Sequence, residues 1–207
     1  VKNALNSLTM EGKPVRIAKT GYTGEPIGYE LYCNSEDARY FWDRLIELGA
    51  KPTALGARDT TRMEAALPLY GHEMGECEMG GEIQIYAVPL AKFAVSFDEA
   101  KGDFIGREPL KKQFEALKKI MNRDYSSIED LPYRIQPIYL EGKGVLRKGF
   151  PIYCKDAWAE GKQIGYVTSG TMIPYYKTEG QGLESVFTDE TGKRSIGLAY
   201  MDSRICQ

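Results

Sequence analysis

The sequence predicts an α+β fold in which a mixed α/β module is followed by a small antiparallel β-barrel. Residues 15–33 alternate in polarity around a glycine-rich turn, and two segments with helical composition follow them. Beyond residue 132, short apolar runs separated by glycines are typical of a small barrel or sandwich. A polar stretch, residues 122–132, separates the regions and is interpreted as a linker. The predicted domains are therefore residues 1–125 and 126–207.

The first module is predicted to begin with a β-hairpin. Residues 15–20 and 29–33 form its strands, joined by the glycine-rich turn. Ser35 is the predicted N-cap of a helix, with two acids in its first turn. That helix places one apolar stripe on its inner face and ends at Gly49. The stripe consists of Phe41, Leu45 and Leu48.

Further elements follow from composition and from helix-breaking residues. Residues 54–67 are predicted to form a second helix that Pro68 ends. Residues 82–97 are rich in apolar and aromatic side chains and are predicted to be β-rich, and residues 108–122 form a charged helix. The barrel strands are expected at 135–140, 149–154, 165–168 and 196–201. Residues 175–194 are polar and are predicted to form a long loop or hairpin on the barrel.

Bulk composition excludes several classes of function. The net charge of -2 gives no electrostatic reason to expect nucleic acid or an anionic membrane surface. No apolar run is long enough to span a bilayer. The four cysteines are scattered without metal-binding or disulfide spacing, so no metal is predicted, and reduced thiols favour a cytoplasmic protein.

Two segments carry the side chains of a predicted ligand site. Residues 21–30 (GYTGEPIGYE) form a turn whose glycines allow sharp bends and close approach to a ligand. Residues 56–64 (GARDTTRME) place Arg58 and Arg62 four apart, on one face of a helix. Acids, aromatic rings and guanidinium groups together suit a planar, polar heteroaromatic ligand that carries carboxylates.

Five motifs resemble the aminomethyltransferase, or T-protein, of the glycine cleavage system. They occur in the family's order and at roughly its spacing, and together they extend over nearly the whole chain. They are residues 21–30, 56–64, 67–73, 102–108 and 164–171.

The resemblance implies a folate-binding module followed by a β-barrel domain. It also implies transfer of an aminomethyl group from a lipoyl carrier protein to tetrahydrofolate, with methylene-tetrahydrofolate and ammonia as products. Relatives on the same scaffold demethylate other substrates onto tetrahydrofolate, and some are fused to a flavin domain.

The resemblance also assigns candidate folate-binding residues. Glu30 corresponds to the family's pterin-binding glutamate, whose carboxylate can accept two hydrogen bonds from an aminopyrimidinone. Tyr22 holds the aromatic position of the turn. Arg62 matches an arginine expected to reach polar groups of the folate or to orient the acid, and Tyr70 is a further candidate.

The chain departs from the family pattern in several places. Pro26-Ile27 stands where one residue is common, which makes Glu25 a rival of Glu30. Residues 75–85 separate motifs that are closer in the family, and residues 175–194 resemble an insertion. The family's catalytic aspartate belongs to an N-terminal part without a counterpart here, so the catalytic residue is unknown. We therefore expect a fragment or a reduced paralogue.

Alternative interpretations remain open at this stage. Arg58 is expected to form a structural ion pair with Asp59 or a neighbouring acid. His72, the only histidine, has no nucleophile motif beside it and is expected to pack or cap a loop. At the level of function, the alternatives are a non-catalytic folate-binding or regulatory paralogue and a folate-dependent demethylase module of a larger oxidoreductase.

Overall fold

The computed structural model describes residues 3–156 and 158–206. Its contacts divide the chain into two compact units, Val1–Leu67 and Pro68–Gln207. The predicted domain boundary near residue 125 falls inside the second unit and stays a prediction. No helix in the described residues is long and apolar enough to cross a membrane.

The first unit consists of a three-stranded antiparallel sheet and two helices. The sheet order is β1-β2-β3, and the predicted hairpin is confirmed as the pair β2 and β3. Strand β1 was not predicted, because its six exposed residues show no alternation between buried and solvent-facing positions. The bounds are β1 Leu5–Met10, β2 Lys13–Ala18, β3 Glu30–Cys33, α1 Ala38–Glu47 and α2 Leu55–Glu64.

The start of α1 differs from the prediction. Ser35–Asp37 forms a 3-10 turn, and Asp37, not Ser35, holds the N-cap position of α1. The carboxylate of Asp37 is buried and accepts a hydrogen bond of 2.5 Å from Lys13 Nζ on β2. This pairing ties the beginning of the helix to the sheet. Of the predicted apolar stripe only Phe41 is buried, and its other two members are exposed.

The second unit begins with short elements around an aromatic cluster. The predicted β-rich segment 82–97 is strand only at its start and then forms a 3-10 turn and a short helix. Part of its apolar surface is still buried: Tyr86 is 1% exposed and packs against Phe114 at 5.3 Å between ring centroids, whereas Phe93 is exposed. Apolar runs alone cannot separate buried strand from buried turn. The bounds are β4 Gly75–Glu76, β5 Glu82–Ile83, α3 Ala91–Ala94 and α4 Arg107–Met121.

The remainder of the second unit is a four-stranded antiparallel sheet of order β6-β9-β8-β7. The predicted closed barrel is not shown, since the edge strands β6 and β7 do not pair with each other within the described residues. A barrel requires its edges to meet at a consistent tilt and register. The bounds are β6 Tyr133–Tyr139, β7 Pro151–Tyr153, β8 Gln163–Glu179 and β9 Val186–Asp202.

Strands β8 and β9 are each 17 residues long, and the predicted hairpin over 175–194 is their outer half. Their inner halves are buried, with Val167, Leu198 and Ala199 almost inaccessible to solvent. The outer half is exposed, and a 3-10 turn at Gly182–Glu184 closes it. Backbone pairing across the ribbon therefore replaces the long loop that composition alone allowed.

The polar stretch 122–132 is packed against the sheet. Leu131 is completely buried, and its carbonyl accepts a hydrogen bond of 2.7 Å from Ser203 Oγ. The carbonyl of Asp130 accepts another, of 2.9 Å, from Gln84 Nε2. The stretch thus joins the 3-10 region near residue 86 to the end of β9.

Candidate functional site

The glycine-rich turn of the first unit is held against the end of α2. Gly24 at its tip has a φ of 83°, which a residue with a side chain rarely adopts. A Cβ at Gly24 would lie 2.3 Å from Cβ of Ala65, so the turn and the helix end approach too closely for any larger residue. At the base of the turn, Gly21 and Gly28 lie side by side. The glycines therefore fix the turn beside the helix.

A cleft of about 650 Å³ lies between this turn and the start of α2. This volume falls within the range of about 300–1,000 Å³ found for small-molecule sites. Its lining combines threonine and tyrosine hydroxyls, small apolar side chains and two charged groups. The lining residues are Thr20, Gly21, Tyr22, Thr23, Gly28, Tyr29, Glu30, Thr53, Ala54, Leu55, Ala57, Arg58 and Thr61.

Glu30, the first residue of β3, contributes the only carboxylate among the lining residues. Its Oε2 accepts a hydrogen bond of 2.8 Å from Tyr32 Oη, and this bond raises the pKa of Tyr32. Tyr32 lies two positions further along the strand, where side chains point to the same face. Glu25, the rival acid, is exposed at the turn and does not line the cleft. The geometry therefore favours Glu30 as the acid of this cleft.

The two arginines of α2 have different surroundings. Arg62 is 0% exposed, and its Nε and Nη2 lie 2.8 and 2.6 Å from Asp59 Oδ1. Its Nη1 donates a hydrogen bond of 3.0 Å to the carbonyl of Leu67. Arg62 does not line the cleft, and its role in ligand binding stays a prediction.

Arg58, by contrast, lines the cleft and is exposed. Its guanidinium carbon lies 5.8 Å from the centroid of the Tyr22 ring, within the range of a cation–π contact. The expected ion pair of Arg58 with Asp59 or a neighbouring acid is not found among the described residues, where Asp59 Oδ1 pairs with Arg62 instead. The sequence did show both arginines, but spacing on a helix does not reveal which one meets the packed interior.

Tyr70 belongs to the second unit, where it is 81% exposed. It lines a cavity of about 280 Å³ together with residues of the β4 region. Lys148 closes one side of this cavity and donates a hydrogen bond of 3.0 Å to the carbonyl of Gly71. The structure thus places Tyr22 and Glu30 in one cleft and Tyr70 in this cavity of the second unit.

His72 belongs to a buried polar network of the second unit. Its Nδ1 lies 3.1 Å from Ser169 Oγ and 3.2 Å from the carbonyl of Thr168. The Ser169 hydroxyl donates to Glu73 Oε1 at 2.5 Å, and the amide of Leu69 donates to Glu73 Oε2 at 2.8 Å. Since the serine proton goes to the carboxylate and Ser169 is buried, this is not a nucleophile arrangement. The predicted packing role of His72 is confirmed.

Metal chemistry has no visible basis in residues 3–156 and 158–206. No three histidine, cysteine, aspartate or glutamate side chains of that part of the chain come together as a metal site. All four cysteines are free thiols, and two of them, Cys154 and Cys206, are buried. The candidate site is the cleft of the first unit, which combines hydroxyls, one acid and one guanidinium.

One protein-family model matches the part of the chain that contains the cleft. The family model described as the GCVT N-terminal domain matches residues 3–87, a range that includes all residues lining the cleft. The match ends before the sheet β6–β9 of the second unit.

Curated relatives match almost the whole chain. The aminomethyltransferase of Bacillus mycoides is 36% identical over 203 residues, which cover 95% of this chain and 43% of that protein. The aminomethyltransferase of Halalkalibacterium halodurans is 38% identical over 203 residues, with 96% and 44% covered. The one from Staphylococcus saprophyticus is 38% identical over 191 residues, with 92% and 41% covered. The chain thus spans less than half the length of these relatives.

A solved structure shares the fold. The glycine cleavage system aminomethyltransferase T from Bartonella henselae aligns with a TM-score of 0.54 at 22% identity. The alignment covers 91% of this chain and 42% of that one. At this identity the likeness concerns the mixed helix-and-sheet fold alone.

Proposed function

We propose a tetrahydrofolate-dependent aminomethyltransferase activity, because this chain belongs to the glycine cleavage T-protein (aminomethyltransferase) family. It spans less than half the length of the relatives described above. The reaction would move a one-carbon unit from an aminomethyl-lipoyl carrier protein to tetrahydrofolate. The observation that supports it most is 36–38% identity to aminomethyltransferases over more than nine tenths of the chain. Such a transferase would act in glycine catabolism and one-carbon metabolism in the cytoplasm.

Tetrahydrofolate, as co-substrate, fits the chemistry of the cleft between the glycine turn and α2. Its aminopyrimidinone ring presents N–H donors, and Glu30 offers a carboxylate that can accept two of them. The hydroxyls and small apolar side chains of the cleft suit a ring with polar edges and an apolar face. In this proposal Glu30 and Tyr22 bind and orient the pterin.

In the proposed reaction, the main role of these residues is to orient the reactants. The folate nitrogen is itself the nucleophile, so the protein's contribution is to hold the two reactants in register and to exclude water. Fixed dipoles and charges around the site would stabilise the cationic carbon as it forms.

Tyr70 and Arg62 complete the proposed set of folate-binding residues. Arg62 would act indirectly, by fixing the end of α2 through Asp59 and the Leu67 carbonyl. Tyr70 is an exposed phenol on a cavity of the second unit and is available for a ligand or partner. A lipoyl carrier protein is the partner that the proposed reaction requires.

Two measurements test the proposal. Isothermal titration with tetrahydrofolate should show saturable binding, and incubation with an aminomethylated lipoyl carrier protein and tetrahydrofolate should release ammonia. Binding without turnover would favour the non-catalytic folate-binding paralogue. The absence of any binding would overturn the proposed function. Among the relatives described above, the shared name aminomethyltransferase does not favour the paralogue or the demethylase module.

A further inference from the structure

A cavity of about 560 Å³ in the second unit lies between the end of α4 and the residues that follow β9. This volume falls within the range of about 300–1,000 Å³ found for small-molecule sites. Among the described residues its lining includes three arginines, Arg123, Arg134 and Arg204, and no acid, and we call it the arginine cavity. Since the chain has 29 acidic and 27 basic residues, this lining does not simply follow from composition.

Arg204 is already paired with an acid. Its Nε and Nη2 donate to Asp202 Oδ1 and Oδ2 at 2.9 and 2.5 Å, and its guanidinium carbon lies 4.8 Å from the centroid of the Trp158 ring. A bidentate pair between arginine and a carboxylate fixes the guanidinium in one orientation. Arg204 therefore forms part of the cavity wall, and its charge is balanced by Asp202.

Arg134, on β6, pairs only with a neutral group. Its Nη2 donates a hydrogen bond of 2.7 Å to the carbonyl of Cys206. Its Nε is buried and has no hydrogen-bond partner among the described residues. A buried charged donor without a partner costs free energy, and a bound anion would remove that cost. Arg134 therefore indicates that the cavity takes an anion.

Arg123 is the second arginine of the cavity without an acidic partner. It lies just beyond the end of α4, is exposed, and its side chain makes no hydrogen bond or ion pair with any described residue. The next residue, Asp124, uses its Oδ1 to accept a hydrogen bond of 2.9 Å from the amide of Ser126. Two guanidinium groups at the cavity thus carry charge that no described acid balances.

The lining indicates the chemistry of the ligand. A phosphate monoester carries nearly two negative charges at neutral pH and offers three acceptor oxygens, which match the planar donor forks of two arginines. Beside the arginines the cavity is lined by the apolar side chains of Ile120, Met121 and Ile205 and by the ring of Tyr125. These side chains suit an organic group attached to the phosphate.

We infer that the arginine cavity binds a small phosphate monoester, with Arg123 and Arg134 pairing with the phosphate and the apolar side chains contacting its organic group. The inference does not rest on the proposed function, because the arginine cavity shares no lining residue with the cleft of the first unit.

Isothermal titration of the full chain with phenyl phosphate tests the inference. Phenyl phosphate should bind saturably, whereas phenyl sulfate, a monoanion of similar shape, should bind about tenfold more weakly because it has less charge to pair with the arginines. Inorganic phosphate should also bind more weakly, since it lacks the ring, and benzyl alcohol should show no measurable binding. Equal affinity for phenyl phosphate and phenyl sulfate would contradict the pairing with two arginines.

Variants of the lining locate the binding. Arg134→Gln and Arg123→Gly should each weaken phenyl phosphate binding by about tenfold, because each removes charged hydrogen bonds. Arg123 has a φ of 60°, a conformation that glycine adopts without strain, so Arg123→Gly is expected to fold. As a matched control, Lys112→Gln removes an exposed positive charge of α4 outside the cavity and should leave the affinity within about twofold. Far-ultraviolet circular dichroism checks that each variant is folded.

Three results would overturn the inference. The first is the absence of saturable binding of phenyl phosphate to the unaltered protein. The second is an unchanged affinity in Arg123→Gly, which decides the question even if Arg134→Gln does not fold. The third is an equal loss in Lys112→Gln, because the anion would then respond to the positive charge of the surface in general.

Discussion

Arg58 and Arg62 are four residues apart on α2, yet one is exposed in a cleft and the other is completely buried. The difference arises from the contacts at the end of the helix, where Asp59 and the carbonyl of Leu67 together engage the Arg62 guanidinium. Glu30 and Glu25 form a similar pair of rivals, of which only Glu30 lines the cleft. Each of these pairs allows a prediction with a built-in control.

Replacing Glu30 by alanine should weaken tetrahydrofolate binding by roughly tenfold or more, because the carboxylate proposed to accept hydrogen bonds from the ligand is lost. Glu25→Ala should leave the affinity within about twofold, since that residue is exposed and outside the cleft. Isothermal titration of both variants with tetrahydrofolate measures the two affinities. The reverse order of effects would show that the extra residue in the turn shifts the acid role to Glu25.

Arg62→Gln should destabilise the protein by about 3 kcal/mol, since removing one partner of a buried ion pair typically costs about 3–5 and Asp59 can still reach water. Arg58→Gln, on the same helix, should change stability by no more than about 0.5 kcal/mol, because its side chain is exposed. Urea unfolding of the two variants provides the comparison. A similar loss in both would mean that Arg58 also has a structural role.

At the scale of elements, burial separates the packed inner halves of strands β8 and β9 from their exposed outer halves. The inner halves of β8 and β9 are buried, and their glycines allow close contact: a Cβ at Gly165 would lie 2.2 Å from the Tyr200 carbonyl oxygen. The outer ribbon is exposed and is held by its own contacts, such as the guanidinium of Arg194 over the Tyr175 ring at 4.1 Å. The ribbon therefore contributes little to the packed interior.

Replacing residues 177–190 by a two-residue Asn-Gly turn should leave the sheet folded, because the removed segment is almost wholly exposed. The expected result is an unchanged near-ultraviolet circular dichroism spectrum, apart from the lost aromatic residue, and a melting temperature close to that of the parent. As a control, the same turn placed in the inner half, across residues 167–199, should abolish folding. A collapse of the tertiary signal in the shortened ribbon would contradict this separation.

At the scale of the molecule, the second compact unit contains ionisable side chains whose pKa values are shifted by folding. The second unit buries tyrosines and a cysteine: burial raises the pKa of Tyr200 to about 12 and that of Cys206 to about 11. Burial also raises the pKa of Tyr166. The neutral forms of these groups are favoured by folding. The same unit holds the carboxylate of Asp202, for which hydrogen bonds from Arg204 outweigh the effect of burial and lower the pKa.

The stability of the second unit should therefore fall at alkaline pH. A group whose pKa is raised by folding contributes its full stability below its ordinary pKa, which is 9.0 for Cys206 and 10.0 for Tyr200, and loses it as the pH rises through the folded value. Urea midpoints should be constant to about pH 9 and should decline by about pH 11. Cys206→Ala should make the decline begin at a higher pH, and a midpoint independent of pH in this range would contradict the prediction.

Much of the fold followed from the sequence because local pattern and burial agree there. The β2–β3 hairpin and helices α2 and α4 were predicted close to their observed bounds, since alternation, helical composition and Pro68 act within a few residues. Residues 82–97 were predicted incorrectly because an apolar run is buried equally well as a turn against Phe114. The sequence could not show whether the sheet closes into a barrel, because the pairing of distant edge strands leaves no local signal. Within the described residues the edge strands β6 and β7 do not pair.

The sequence by itself indicated a resemblance to the glycine cleavage T-protein family, through five ordered motifs, and it supplied the acids, aromatic rings and arginines of the proposed ligand site. It could not determine which side chains share a cleft. Tertiary structure decided that Glu30, Tyr22 and Arg58 line one cleft and that Arg62 packs inside, because burial depends on the residues that meet a helix face from elsewhere in the chain. Spacing defines a helix face, but only packing decides whether that face meets solvent, a ligand or the interior.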